Sequence, residues 1–181
     1  MKEFRIEAGK AQVNGKVVET YMAAMGPYAG RGEQVLKRNL GVAELVYDGT
    51  TFYALDSFLK TLEEFQSQLG QPFLKSMGKF IFSKAEFPPD ITTLEGAMNL
   101  LNTAYYMNHQ TEPGAIGAYA WRAESDHRGT MVCDNPYPCA FDQGLLETIA
   151  KRFVPEARVT HDPAQGCRHD QGDVCVYTIE W

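Results

Sequence analysis

Apolar positions recur at helical spacing through the middle of the chain and alternate with polar ones toward its end. Leu59, Leu62, Phe65 and Leu69 form one stripe. They predict a helix over SFLKTLEEFQSQL, capped by Asp56 and stopped by Gly70. Phe73, Met77 and Ile81 mark a second helix in QPFLKSMGKFIFSKA. Thr92-Thr93-Leu94-Glu95 matches a capping box, in which Thr92 and Glu95 satisfy backbone N–H groups at a helix start. Leu94, Met98, Leu101 and Tyr105 line the helix that follows. A shorter helix is predicted near Gly32–Asn39, ended by Gly41. Phe141, Leu145, Ile149 and Phe153 define the last one. Its Asp142 lies near the start and its Lys151 and Arg152 near the end, as the helix dipole favours.

Strand signals cluster late. AIGAYAWRAE and GTMVCD flank SDHR as an antiparallel hairpin, and EARVTH and DVCVYTIEW both alternate. Near the other end, Asn14-Gly15 sits between short apolar runs and predicts a tight hairpin turn.

Composition narrows the classes. The chain has 181 residues, 44% hydrophobic and 22% charged, which is ordinary globular material for one domain. A net charge of −6 argues against a nonspecific nucleic-acid surface. No apolar run reaches membrane-spanning length. The charged start MKEFRIEAGK lacks the core of an export signal, so a cytoplasmic, reducing setting is expected.

All four cysteines lie in the last fifty residues, as Cys133-x5-Cys139 and Cys167-x7-Cys175. Asp170-Gln171-Gly172 suits a three-residue loop with Gly172 left-handed, which would set Cys167 and Cys175 opposite each other. Two such thiols make half a metal site. Cys139, at a helix start that stabilises thiolate, is a third ligand, and Cys133, His161 or Asp162 a fourth. Neither pair has the short C-x2-C spacing of common zinc modules, so free thiols, a metal site and a disulfide all stay open.

The helix FDQGLLETIAKRF, the strand ARVTH and the ending CRHDQGDVCVYTIEW resemble the superfamily of 4-vinyl reductase domains, haem nitric-oxide-binding domains and certain Golgi tethering subunits. The likeness is strongest over residues 115–181, weaker over 56–108 and absent before. It implies an α+β fold: an antiparallel sheet with helices packed on it, enclosing a small-molecule pocket. One domain is expected, with residues 1–50 an N-terminal extension and 51–181 the 4-vinyl-reductase-like core. By the same resemblance zinc would bind through Cys139, Cys167 and Cys175, with Cys133 as a further candidate. Haem is not expected. The place of a haem-ligating His falls near Tyr105, His109 lies beyond the predicted helix end, and a Tyr-x-Ser-x-Arg motif is missing.

The chain carries no G-x-S-x-G, H-E-x-x-H or dinucleotide loop after a strand. Together with the pocket that the resemblance implies, the expected function is a non-catalytic sensory or regulatory domain that binds a small hydrophobic ligand. It would act as a homodimer or through a signalling partner. Met98, Leu101, Tyr105, Tyr106 and Trp121 are the candidate pocket residues. The alternatives are a protein-interaction subunit with a filled core, or a thiol-redox protein using Cys133 and Cys139.

Overall fold

A computed structural model describes residues 3–83, 85, 87–170 and 172–181. Among the described residues, six α-helices and seven strands form two antiparallel sheets and a helical layer. The elements are β1 (Ala11–Asn14), α1 (Gly15–Ala24), α2 (Ala29–Leu40), β2 (Phe52–Ala54), α3 (Leu55–Leu69), α4 (Gln71–Ser83), α5 (Leu94–Met107), β3 (His109–Thr111), β4 (Tyr119–Ser125), β5 (Arg128–Cys133), α6 (Cys139–Phe153), β6 (Arg158–His161) and β7 (Cys175–Glu180). The small sheet has the order β2-β1-β3 and the larger one β4-β5-β7-β6. This is the expected α+β class.

Asn14-Gly15 does not turn a hairpin. Asn14 ends β1 and caps α1, its Oδ1 accepting from the Lys16 N–H at 2.8 Å. Gly15 is required by close approach, since a Cβ there would stand 2.7 Å from the Val46 carbonyl oxygen. The cap of α5 is Thr93, one residue after the expected Thr92, with Oγ1 3.1 Å from the Gly96 N–H. Helix α3 starts at Leu55, so Asp56 lies inside its first turn, where it still suits the dipole. Gly41 and Gly70 end α2 and α3 with φ of 70° and 80°.

Val13, Val18, Tyr21 and Met22, from the first fifty residues, share one core with Phe58, Leu62, Met98, Phe141, Leu145, Tyr177 and Ile179. Gly78 of α4 and Gly144 of α6 let those helices approach backbone to backbone, so a side chain at Gly144 would collide with the Lys75 carbonyl. Helix α6 is held on the large sheet by Tyr177, whose hydroxyl donates to the Cys139 carbonyl at 2.7 Å. No helix among the described residues is long and apolar enough to cross a membrane.

Candidate functional site: an aromatic cavity and a buried sulfur cluster

A cavity of about 400 Å³ opens between α1, α4, α5, α6 and the start of β4. Tyr21, Leu101, Tyr105, His109, Tyr119, Tyr137 and Phe141 give it a largely aromatic wall, and Lys16 sits at its exposed mouth. Each ring is fixed by another. Tyr21 stacks on Phe141 at 5.1 Å between centroids, and Tyr105 meets Tyr119 edge-on at 5.2 Å.

Of the five expected pocket residues, Leu101 and Tyr105 line this cavity. Met98 is fully buried in the core and is not among its lining residues. Tyr106 points its hydroxyl at the Gly117 carbonyl, 2.8 Å away. Trp121 packs on the sheet against Gly129 and Trp181.

His109 is the polar centre of the cavity. Its Nδ1 lies 2.7 Å from the Tyr105 carbonyl oxygen and its Nε2 2.8 Å from the Tyr137 hydroxyl. The carbonyl can only accept, so Nδ1 carries the proton and Nε2 accepts from Tyr137. Burial lowers the His109 pKa to about 4, against a weaker upward pull from the Tyr105 carbonyl, so the ring is neutral at pH 7.

Behind Tyr119 lies a buried ion pair. The Tyr119 hydroxyl donates to Asp142 Oδ1 at 2.6 Å, Asn135 Nδ2 donates to Oδ2 at 3.2 Å, and the Arg168 guanidinium bonds the same carboxylate. Asp142 and Arg168 are both fully buried. Burial raises Asp142 to about 6 even though Arg168 and Tyr119 pull it down. Desolvation thus outweighs pairing, as it does in many buried ion pairs.

Arg168 also reaches the sulfur atoms. Its backbone N–H and its Nε lie 3.3 and 3.4 Å from Cys175 Sγ. Cys167 Sγ is 4.0 Å from both Cys139 Sγ and Cys175 Sγ. Donor atoms of Cys139, His161 and Cys167 lie within 4.8 Å of one another, so these are the side chains that could hold a metal ion, with Cys175 adjoining. Cys133 lies outside that group and pairs across the β5–β7 ladder with Cys175.

Two details of the sequence reading change here. Cys167 and Cys175 come within 4.0 Å, sulfur to sulfur, but a 3-10 turn at Arg168–Asp170 follows Cys167 where a strand of the expected hairpin would run; Gln171, the middle of the expected loop, is outside the described residues. Nor does the helix start make Cys139 the thiolate. Its N–H is taken by Glu3 Oε1 at 2.6 Å, and its thiol is pushed up by its bond to Cys175, by burial and by Glu3. Cys175 is the sulfur pulled down, by the Cys139 thiol first and with help from Arg168.

No family profile matches the chain, and no curated protein matches it. Solved structures do. An H-NOX protein from S. oneidensis in the Fe(II) ligation state, a triple mutant, superposes with a TM-score of 0.66 at 15% identity, over 93% of this chain and 95% of that one. The H-NOX domain of Shewanella oneidensis in the Fe(II)CO state gives 0.66 at 17% identity, over 93% and 98%. An Fe(II) unliganded H-NOX mutant from K. algicida gives 0.64 at 12% identity, over 92% and 95%.

These neighbours overturn the cofactor expectation. Haem was set aside and zinc admitted, yet the solved structures with this fold include one described as a study of haem redox potential and porphyrin distortion. No comparison supports zinc. The cavity also offers a donor that fits haem iron: the neutral His109 imidazole, with Nδ1–H held by a backbone carbonyl and Nε2 carrying the lone pair. From the sequence, His109 lies beyond the predicted helix end and out of reach as a haem ligand. The structure puts it directly after α5, and the carbonyl of Tyr105 fixes its ring. Over more than nine-tenths of its length, this chain has the fold of the haem nitric-oxide-binding domains.

Proposed function

We propose that the chain is a non-catalytic sensory or regulatory domain that binds a small, mostly apolar molecule in the aromatic cavity and acts through a partner protein or a second copy. The observation that carries this reading is the cavity itself. About 400 Å³ lined by rings, with a few fixed polar groups, is the size and character of a small-ligand site. A protein-interaction subunit with a filled core would not need that space.

Leu101→Trp tests it, because the indole would fill the cavity. Amide NMR spectra of the folded protein would be titrated with haem and with small planar aromatics. Shifts at cavity-lining residues in the wild type, lost in a folded Leu101→Trp variant, are expected. No shift with any probe would overturn the reading.

A second reading, haem as the occupant, is favoured by His109. His109 would hold the iron through Nε2 once Tyr137 gives up its hydrogen bond, and the aromatic rings would pack against the macrocycle. Bound there, haem would supply an iron centre able to take a small ligand. A Soret shift on adding haem to wild type but not to His109→Ala is expected. A spectrum identical to free haem in both would sink the second reading and leave the first standing.

A further inference from the structure

The buried hydroxyls of the cavity have partners, with one exception. Tyr105 donates to the Ile116 carbonyl at 2.9 Å, Tyr119 donates to Asp142 at 2.6 Å, and Tyr137 donates to His109 at 2.8 Å. The Asn108 side-chain amide donates to the Ala104 carbonyl at 2.8 Å, and Thr20 at the rim donates to the Lys16 carbonyl at 3.0 Å. Tyr21, only 3% exposed, makes no side-chain hydrogen bond among the described residues. Its hydroxyl oxygen is also absent from the sealed unpartnered atoms, which are Gln66 Oε1, Trp121 Nε1 and His161 Nε2, so it faces open space rather than packed protein. The open space along Tyr21 is the cavity.

That hydroxyl is held in place. The Tyr21 ring stacks on Phe141 at 5.1 Å and meets Phe58 edge-on at 4.9 Å. Asn14 caps the start of α1, the helix that carries it. Burial also raises the Tyr21 pKa well above its ordinary value, which keeps the proton on the oxygen. Tyr21 is thus a fixed donor in a wall of rings. Among the described residues, the interior carries no charged side chain. Of these, Lys16 is the cation at the cavity, 63% exposed and paired with Glu19 at 3.2 Å. No carboxylate of the described residues lines it, since Asp142 is sealed behind Tyr119.

We infer that the cavity selects a neutral, planar aromatic molecule carrying one hydrogen-bond acceptor, such as an aryl ketone or aldehyde, and that Tyr21 reads that acceptor. The inference rests on the small-molecule reading above and names its ligand class. A carbonyl oxygen accepts the Tyr21 O–H while the ring stacks among Tyr105, Tyr137 and Phe141. A carboxylate would enter without a buried cation, and an amine without a buried anion, so both would meet the desolvation penalty of an unpaired charge. A hydrocarbon of the same size would leave the hydroxyl unbonded, a loss its desolvation makes costly.

The test uses matched probes on the full chain: acetophenone, ethylbenzene and benzoate, with dissociation constants read from NMR titration. Wild type should bind acetophenone about fivefold more tightly than ethylbenzene or better, from one net hydrogen bond, and should not take up benzoate. Tyr21→Phe should bring the two neutral probes to equal affinity. Its melting temperature should match wild type, because the lost hydroxyl has no partner in the protein. Equal binding of both probes by wild type overturns the inference. So does discrimination that survives in Tyr21→Phe, or tighter binding of benzoate. In those cases the cavity reading stands, provided Leu101→Trp blocks uptake. If none of the three binds while haem still shifts the cavity residues, the inference falls alone; if haem fails as well, the cavity reading falls with it.

Discussion

Replacing His109 with Gln should change how the stability of this protein depends on pH. The folded-state pKa of His109 is about 4, against an unfolded value of 6.5. The folded protein therefore holds fewer protons at this site between those values. Stability is fully present above pH 6.5 and is lost as pH falls toward 4. The gap is worth about 3 kcal/mol by pH 4 and about 2 kcal/mol by pH 5, at 1.36 kcal/mol per unit. Asp142 works in the opposite direction. Its folded pKa of about 6 exceeds its ordinary 3.8, so its contribution is best at low pH and declines as pH rises through that window. The wild-type profile alone would show near-cancellation between pH 4 and 6. The difference between wild type and His109→Gln removes the Asp142 part, since both proteins carry it. Urea unfolding at pH 7, 6, 5 and 4.5 should show wild type losing about 2 kcal/mol relative to the variant by pH 5. Parallel profiles would refute the buried, neutral imidazole, as would a His109 ring signal that titrates near 6.5 in the folded state.

Other substitutions test the frame around the cavity. Arg168→Met should destabilise by about 3–5 kcal/mol at pH 7, because it strands the buried Asp142 carboxylate; a loss under about 1 kcal/mol in chemical unfolding would mean the ion pair is not formed. Gly144→Ala should cost about 1–3 kcal/mol or more, since the methyl collides with the Lys75 backbone and forces α4 from α6; an unchanged melting temperature would deny that contact. Asn14→Ala should cost about 1 kcal/mol through loss of the α1 cap, and Asn14→Asp should restore most of it. An Asn14→Ala variant as stable as wild type in chemical unfolding would deny the cap.

The elements were legible wherever one physical signal dominated. Leu59, Leu62 and Phe65 of α3, and Phe141, Leu145 and Ile149 of α6, are buried because a helix with one apolar face is stable only when that face is covered. The hairpin around Ser125–Arg128 was equally plain, since two alternating segments flank a short polar turn. Asn14-Gly15 was misread because one side-chain acceptor serves two structures. Asn caps a helix with the same oxygen it uses in a turn. What decides is the Val46 carbonyl packed over Gly15, a contact thirty-one residues away in sequence that no local pattern encodes.

The cavity was less legible for the same reason. Its rings come from α1, α4, α5, β3, β4, the Pro136–Pro138 loop and α6, and nothing in sequence spacing ties Tyr21 to Phe141 or Tyr119 to Asp142. Leu101 and Tyr105 were found because they lie on a helix stripe, and that stripe equally contains Met98, which points into solid core. A stripe specifies which face is apolar; it does not specify where the packing leaves a void. The same limit explains the error over haem. The helix position expected for a haem ligand holds Tyr105, with His109 four residues on. His109 opens β3, two residues past the last residue of α5. There its imidazole folds back against the Tyr105 carbonyl and onto the cavity wall. A donor just past a helix end remains in reach of the space the helix borders, and motif spacing alone cannot dismiss it.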